Sequence, residues 1–95
     1  MFVLYPQTSL FPLGQLFATP GVLTDVAAEE ISTAIARHAM GDWGDLNPED
    51  IAENNRALKE GSRLLSAYRS VSRVKFWIIT EWDRSVTTVL LPSEY

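Results

Sequence analysis

One histidine and four carboxylates are the side chains of this sequence whose types and spacing could do chemistry. The five residues are His38, Asp42, Asp45, Glu81 and Asp83. The first three lie in "HAMGDWGD" and the other two in "TEWDRS", so a shared site requires that the two segments meet in space. One imidazole with several carboxylate oxygens suits manganese or magnesium better than structural zinc. That arrangement would indicate a small metal-dependent hydrolase or nuclease.

A structural interpretation of the same residues has the stronger support. His38 continues the apolar stripe of a predicted helix, and the two aspartates flank Gly44, where aspartates commonly hydrogen-bond the backbone of a turn. The sequence has no cysteine, no G-x-S-x-G motif, no phosphate-binding glycine loop and a single histidine to act as a base. We therefore predict a protein that is not an enzyme and that needs no metal or cofactor.

Two tryptophans among acidic residues point instead to recognition. Trp43 lies within "GDWGD" and Trp82 within "TEWDRS". Exposed tryptophans are over-represented in binding hot spots, and acidic neighbours suit a basic partner. Either ring could instead fold back onto the core, an alternative that we favour more for Trp43 than for Trp82. The predicted protein-binding surface consists of Asp42, Trp43, Asp45, Glu81, Trp82, Asp83 and Arg84.

Length and charge narrow the class of protein. Ninety-five residues predict a single domain, 1–95, with residues 1–9 as an N-terminal arm. A formal charge of −4 argues against direct binding to nucleic acid or to an anionic membrane, and it is compatible with a protein partner that itself binds nucleic acid. Because no apolar run reaches about 18 residues and the opening residues lack the pattern of a secretory signal, we expect a cytoplasmic protein.

The first half of the chain predicts one strand and two helices. The strand covers Phe11–Ala18, and Thr19 with Pro20 then begins a short helical turn. The main helix starts from a cap at Thr24 or Asp25 and runs to Met40. A second helix is capped by Asn47 and ended by Gly61.

The second half predicts three strands in "RLLSAYR", "VKFWIIT" and "SVTTVLL", joined by short loops as an antiparallel meander. In the middle strand, Val74, Phe76, Ile78 and Thr80 share the face expected to meet the core. The predicted fold is therefore α+β, in the order β-α-α-β-β-β, with the helices packed on one face of a small antiparallel sheet.

Several blocks resemble a family of small uncharacterised bacterial proteins from plasmids, integrative elements and prophages, known as plasmid-related proteins. The blocks are "LGQLFATPG", "RHAMGDWGDL", "EDIAENNRAL", "GSRLLSAY" and "FWIITEWDRSVTTVLLPSEY", and together they span nearly all of 10–95. The resemblance implies a mobile-element context, in which some small accessory proteins inhibit CRISPR or restriction systems. In the family pattern the residue before "DRS" is small, so Trp82 departs from it.

Three functional hypotheses follow. The leading one is a non-enzymatic accessory protein of a phage or mobile element that binds a protein partner and inhibits a host defence system, in the manner of an anti-CRISPR or anti-restriction protein. The alternative is the metal-dependent hydrolase or nuclease. The third is a structural or oligomer-forming module.

Overall fold

In the computed structural model, which describes residues 9–95, a four-stranded sheet carries three helices. The elements are β1 (Gln15–Ala18), α1 (Pro20–Asp25), α2 (Ala28–Ala39), α3 (Pro48–Glu60), β2 (Leu64–Arg69), β3 (Lys75–Thr80), β4 (Val86–Leu90) and a 3₁₀ turn (Pro92–Glu94). The predicted α+β class is confirmed, with one helix more than expected. Of the predicted arm 1–9, all but Ser9 lies outside the described residues.

The sheet is mixed, with the strand order β1-β4-β3-β2. Strands β2, β3 and β4 form the predicted antiparallel meander, in which Ala67 pairs with Trp77 and Trp77 with Leu90. The prediction of a wholly antiparallel sheet is wrong at β1, which pairs in parallel with β4. Because three helices and two strands separate β1 from β4 in the chain, no hairpin constrains their relative direction.

The first strand is shorter than the predicted Phe11–Ala18. Pro12 has no backbone N–H to give to a ladder, and Gly14 has a φ of 67°. A Cβ atom on Gly14 would lie 2.2 Å from the Ser85 carbonyl oxygen, so a glycine lets the chain approach the start of β4. The ladder therefore begins only at Gln15.

The main helix begins later than predicted, at Ala28, because the short helical turn before it extends to Asp25. Thr19 and Pro20 begin α1 as predicted, since the Thr19 side chain accepts from the Val22 N–H. The assignment of a helix cap to Thr24 or Asp25 is wrong, because both residues belong to α1. The chain turns extended at Val26, which buries its side chain in the core, and α2 starts two residues later.

The α3 helix matches its local signals at both ends. The Asn47 side chain accepts from the Asp50 N–H at 2.8 Å, and Pro48 takes the first helical position. Gly61 closes the helix in the left-handed region with a φ of 79°. None of the helices in residues 9–95 is long and apolar enough to cross a membrane.

Helices α1 and α2 cover one face of the sheet. The larger core cluster joins them to β2, β3 and β4 and consists of Val22, Val26, Ile31, Ala34, Tyr68, Phe76, Ile78 and Val89. The face predicted for β3 is confirmed, with Phe76, Ile78 and Thr80 buried and Val74 partly buried. A second cluster, beside α3, consists of Phe11, Trp43, Ala57 and Leu64.

The outer edge of β2 is occupied by polar groups from outside the sheet. The side-chain amide of Asn54 donates to the Leu65 carbonyl at 2.5 Å and accepts from the Leu65 N–H at 3.2 Å, as a neighbouring strand would. Two residues further, the Ala67 N–H donates to the Trp43 carbonyl and the Asp45 N–H donates to the Ala67 carbonyl. This edge is therefore closed to strand addition at both positions.

The end of the chain is held to the start of α1 by Glu94. Its carboxylate accepts from the Gly21 N–H at 3.0 Å, from the Leu91 N–H at 3.0 Å and from the Thr19 hydroxyl. These contacts hold the pKa of Glu94 below its usual value, the Thr19 hydroxyl contributing most. Negative charge is favourable at the N-terminus of a helix, and the contact fixes the C-terminal turn beside the sheet.

Replacing Asn54 tests the closure of the β2 edge. Asn54→Ala leaves the Leu65 N–H and carbonyl without their partner, so we expect the free energy of unfolding to fall by about 2 kcal/mol in urea denaturation. Glu53→Ala is the matched control, because its exposed ion pair with Arg56 contributes less than about 1 kcal/mol. Equal effects of the two variants would contradict the role given to Asn54.

Candidate functional site

His38 is fully buried at the centre of a chain of hydrogen bonds. Its Nδ1 lies 2.6 Å from the Ser66 hydroxyl and its Nε2 lies 2.9 Å from the Thr80 hydroxyl. Thr80 contacts the Thr87 hydroxyl at 2.7 Å, and Thr87 donates to the Leu13 carbonyl at 2.6 Å. This series of hydrogen bonds therefore connects α2, through three strands, to the segment before β1.

The donor in each of these hydrogen bonds can be assigned by starting from the last acceptor, the Leu13 carbonyl. A carbonyl can only accept, so the single Thr87 hydrogen goes to Leu13, and Thr87 must accept from Thr80. Thr80 has then used its own hydrogen and accepts from the Nε2–H of His38. The Nδ1 atom is left as the acceptor for the Ser66 hydroxyl. His38 is consequently a neutral imidazole that carries its hydrogen on Nε2.

The electrostatics of the site favour this neutral form. Burial, with a smaller contribution from the positive charge of Arg84, lowers the pKa of His38 from 6.5 to about 4. Both ring nitrogens are in use and the residue has no exposed surface. His38 therefore has no nitrogen left for a metal ion or a substrate.

The turn at residues 41–45, called here the Trp43 turn, joins α2 to α3 and lies on the edge of β2. Gly41 and Gly44 have φ angles of 80° and 78°. A Cβ atom on Gly44 would lie 2.0 Å from the Ala67 carbonyl oxygen, so the close approach to β2 requires glycine here. The Trp43 ring is 3% exposed and its Nε1–H donates to the Asn55 side chain at 2.9 Å. Trp43 is a core residue.

Asp42 serves the same turn. Its carboxylate accepts from the Arg37 guanidinium at 2.7 and 3.2 Å and from the Gly44 N–H at 3.3 Å. The hydrogen bond from Arg37 is the main reason that the pKa of Asp42 lies below its usual value. Arg37 also lies over the Tyr68 ring, whose hydroxyl donates to the Asp42 carbonyl at 2.6 Å. The carboxylate of Asp42 is thus occupied by hydrogen bonds from α2 and from its own turn.

The turn at residues 81–85, called here the Trp82 turn, connects β3 to β4. It closes with the Arg84 N–H donating to the Glu81 carbonyl at 2.9 Å. Asp83 accepts from both the hydroxyl and the N–H of Ser85, and these bonds lower the pKa of Asp83. The Trp82 side chain is 66% exposed at the tip. A large apolar ring is thereby presented to solvent on a hydrogen-bonded turn.

Arg84 fixes this turn to the end of α3. Its guanidinium donates to the carbonyls of Ser62 at 2.6 Å, Ala57 at 3.2 Å and Glu81 at 3.2 Å. Ala57 lies in the last turn of α3, where cations are favourable, and its carbonyl also accepts from the N–H groups of Gly61 and Ser62. Arg84 also has a φ of 61°, which a residue other than glycine adopts only when its surroundings hold it there.

Phe11 links the two turns. Its ring stacks on Trp43 with centroids 6.3 Å apart and meets the edge of His38 at 5.3 Å. The Arg84 guanidinium lies over the same Phe11 ring at 5.7 Å. The Trp43 turn and the Trp82 turn are thus coupled through one buried ring.

The predicted groups are therefore brought together only in part. In the described part of the chain, no three His, Asp or Glu side chains lie close enough to hold a metal ion, so the five candidate ligands form no centre there. Of the predicted protein-binding surface, Trp43 is buried, Asp42 is paired with Arg37, and the guanidinium of Arg84 is bound to carbonyls. The residues that remain together at the surface are Glu81, Trp82 and Asp83, with Asp45 exposed on the other turn.

Sequence reasoning missed the partners of His38. Ser66, Thr80 and Thr87 are each 0% exposed although their side chains are polar. The alternation of β3 did place Thr80 on the core face, and a hydroxyl at a core position next to a helix with a histidine in its apolar stripe was the available signal. Nothing local indicated that Phe11 would leave its predicted strand and pack between the two turns.

The titration of His38 makes stability depend on pH. Because the pKa of His38 is about 4 in the folded protein and 6.5 as the ordinary value, the unfolded chain takes up the proton first as pH falls. We expect the contribution of neutral His38 to be fully present above pH 6.5 and to be lost toward pH 4, which corresponds to about 3 kcal/mol. Urea denaturation across this pH range measures it.

His38→Gln provides the control for this prediction, because it removes the titrating group while keeping a polar side chain. The parent protein should lose more stability than the variant between neutral pH and pH 4. Since the chain has one histidine, its imidazole proton resonances report the same pKa directly by NMR. Parallel stability profiles, or a resonance titrating near 6.5, would contradict the buried neutral imidazole.

The anchoring role of Arg84 predicts a structural cost. We expect Arg84→Ala to lower the free energy of unfolding by roughly 2 kcal/mol, because three carbonyl groups lose a charged donor. Arg73→Ala is the matched control, since Arg73 also has a positive φ, 70°, but an exposed side chain. An equal loss in both variants would show that the backbone conformation, and not the guanidinium contacts, sets the effect.

No family model, curated protein or solved structure matches this chain. The geometry of the two turns therefore carries the functional argument.

Proposed function

We propose that this protein is a non-enzymatic accessory protein of a mobile element that acts by binding a protein partner through the Trp82 turn. The observation that carries the proposal is that Trp82 is 66% exposed at the tip of its turn. The backbone of this turn is held by its own hydrogen bond and by the guanidinium of Arg84. The Trp82 side chain can bury much apolar area in a complex. A rigid support reduces the ordering cost of binding.

The electrostatics of the turn support a basic partner. Glu81 and Asp83 flank Trp82 in the sequence, with Asp83 exposed and Glu81 half-buried, and the guanidinium of Arg84 is turned toward the carbonyls of Ala57 and Ser62. The exposed end of the turn is therefore acidic around an aromatic centre, which matches the usual anatomy of a hot spot with a charged rim. The formal charge of −4 for the chain acts in the same direction.

The concrete form of the proposal is inhibition of a host defence system. Nucleases of CRISPR and restriction systems have basic surfaces that bind DNA or RNA, and an acidic protein with an aromatic anchor could occupy such a surface. The mobile-element context comes from the resemblance of the "GDWGDL" and "WIITEWDRSVTTVLLPSEY" blocks. Trp82 departs from that family pattern, so the proposed partner is particular to this protein.

Trp82→Ala is the direct test of the contact. In cells that carry a panel of restriction or CRISPR systems, the parent protein should raise the survival of incoming phage for the system that it inhibits. Loss of a hot-spot tryptophan costs 2 kcal/mol or more, so we expect the variant to bind the purified partner about 30-fold more weakly. Its unfolding midpoint should stay near that of the parent.

Val71→Ala controls for the loss of any exposed apolar side chain, because Val71 is 90% exposed on a different turn. It should leave both survival and affinity unchanged. If Trp82→Ala protected phage as well as the parent, or if Val71→Ala lost activity equally, the Trp82 turn would not be the contact surface.

A further inference from the structure

The β1 strand forms an open edge of the sheet. Its only neighbour among the described strands is β4. The Gln15 N–H donates to the Ser85 carbonyl and the Thr19 N–H donates to the Val89 carbonyl, so alternate residues face β4. In a parallel ladder the residues between them, Leu16 and Ala18, direct their backbone N–H and carbonyl groups to the other side. These groups lie at the outer edge of the sheet.

The two edges of the described sheet differ in whether their backbone groups are covered. At β2, the Asn54 side chain occupies the backbone groups of Leu65, and the Trp43 turn occupies those of Ala67. At β1 no such cover is present within residues 9–95. The sheet thus has one edge that is covered, at β2, and an opposite edge at β1 whose protection is limited to the short strand and the flanking Pro12 and Pro20.

The side chains of β1 are apolar and exposed on both faces of the sheet. Leu16 is 43% exposed and Phe17 is 53% exposed, and they point to opposite faces because successive strand residues alternate. The residues of β1, "QLFA", carry no charge. The strand therefore offers both hydrogen-bonding groups and apolar surface to a neighbour.

We infer that the open edge of β1 pairs with β1 of a second copy of this chain, antiparallel about a twofold axis at Phe17. In this register Leu16 of each copy exchanges hydrogen bonds with Ala18 of the other. The two Phe17 residues then face each other as a pair without hydrogen bonds, the arrangement in which cross-strand side chains come closest. The two four-stranded sheets become one continuous sheet.

Two features select a second copy as the occupant. A twofold interface must be self-complementary, and β1 satisfies this with its central Phe17 and with matched donors and acceptors on either side. The residues 9–24 around β1 contain no charged side chain, although each copy carries −4. The Glu94 carboxylate contacts this segment only at Thr19 and Gly21, beyond the paired residues 16–18, and it is held there by hydrogen bonds. A basic or acidic partner would find no opposite charge within this segment. The edge is thus distinct in chemistry from the acidic Trp82 turn.

The interface is small, because β1 has four residues. Leu23, 61% exposed on the helix that directly follows β1, is a further apolar side chain close to it in sequence. Interfaces of this size fall at the weak end of specific contacts, so association should depend on concentration. Dimer and monomer should both be populated over an accessible range.

Sedimentation equilibrium over about two decades of concentration tests the inference. The mass should rise from the chain mass of 10.6 kDa toward twice that value. Leu16→Pro removes a donor that points to the edge and Phe17→Lys places two like charges at the axis, so each should keep the protein monomeric at the highest concentration. Val71→Lys introduces the same positive charge at a 90% exposed position away from β1, so this variant should dimerise like the parent.

Several outcomes would overturn the inference. They are a parent that stays monomeric throughout, or a dimer that persists in both Leu16→Pro and Phe17→Lys while circular dichroism shows them folded. Protection of the Leu16 amide from hydrogen exchange in a protein that sedimentation shows to be monomeric would assign the edge to another segment of the same chain. Trp82→Ala should dimerise normally, so failure of this inference and failure of the proposed partner contact are separable.

Discussion

The hydrogen-bond chain from Ser66 through His38 to the Leu13 carbonyl is the constraint on which the rest of the structure depends. It connects α2, β2, β3, β4 and the segment before β1, and its four side chains are each 0% exposed. Among the described residues, every buried side-chain nitrogen and oxygen atom has a partner. Buried polar groups are costly unless they are satisfied, so this arrangement allows one alignment of the strands.

A shift of β3 by two residues illustrates the point. The apolar pattern would survive, because the same faces would still point inward. The position of Thr80 opposite His38 would then be taken by Ile78, and the imidazole N–H would have no acceptor. Apolar patterning therefore selects the face, whereas the hydroxyl groups of Ser66 and Thr80 select the register.

The two tryptophan turns look alike in sequence and differ in what surrounds them. Trp43 has an acceptor inside the protein, Asn55, and an aromatic neighbour, Phe11, so its ring is stable in the core. The Trp82 turn is instead held by its backbone and by Arg84, which leaves the ring outside. The Trp43 ring is therefore accounted for by its packing and its hydrogen bond, whereas the Trp82 ring is left at the surface.

Local signals in the sequence predicted what local interactions determine. Asn47, Pro48 and Gly61 specify the ends of α3 within a few residues, and alternation specifies the buried face of β3. The break at Val26, the parallel pairing of β1 and the partners of His38 depend on residues far apart in the chain. A single sequence does not reveal which distant groups meet, so it could not decide whether the two acidic segments converge.

The parallel pairing of Gln15 with Val86 has a consequence for synthesis on the ribosome. The helices and the β2–β3 hairpin can form while the chain emerges, since their contacts are local or nearly so. Residues 15–18 must wait for 86–89, and the Leu13 carbonyl must wait for Thr87. Non-local pairings of this kind are slow to close, and during that interval an uncharged apolar segment is left without its strand. The interval before β4 is made is therefore the one in which the β1 segment is most exposed to aggregation.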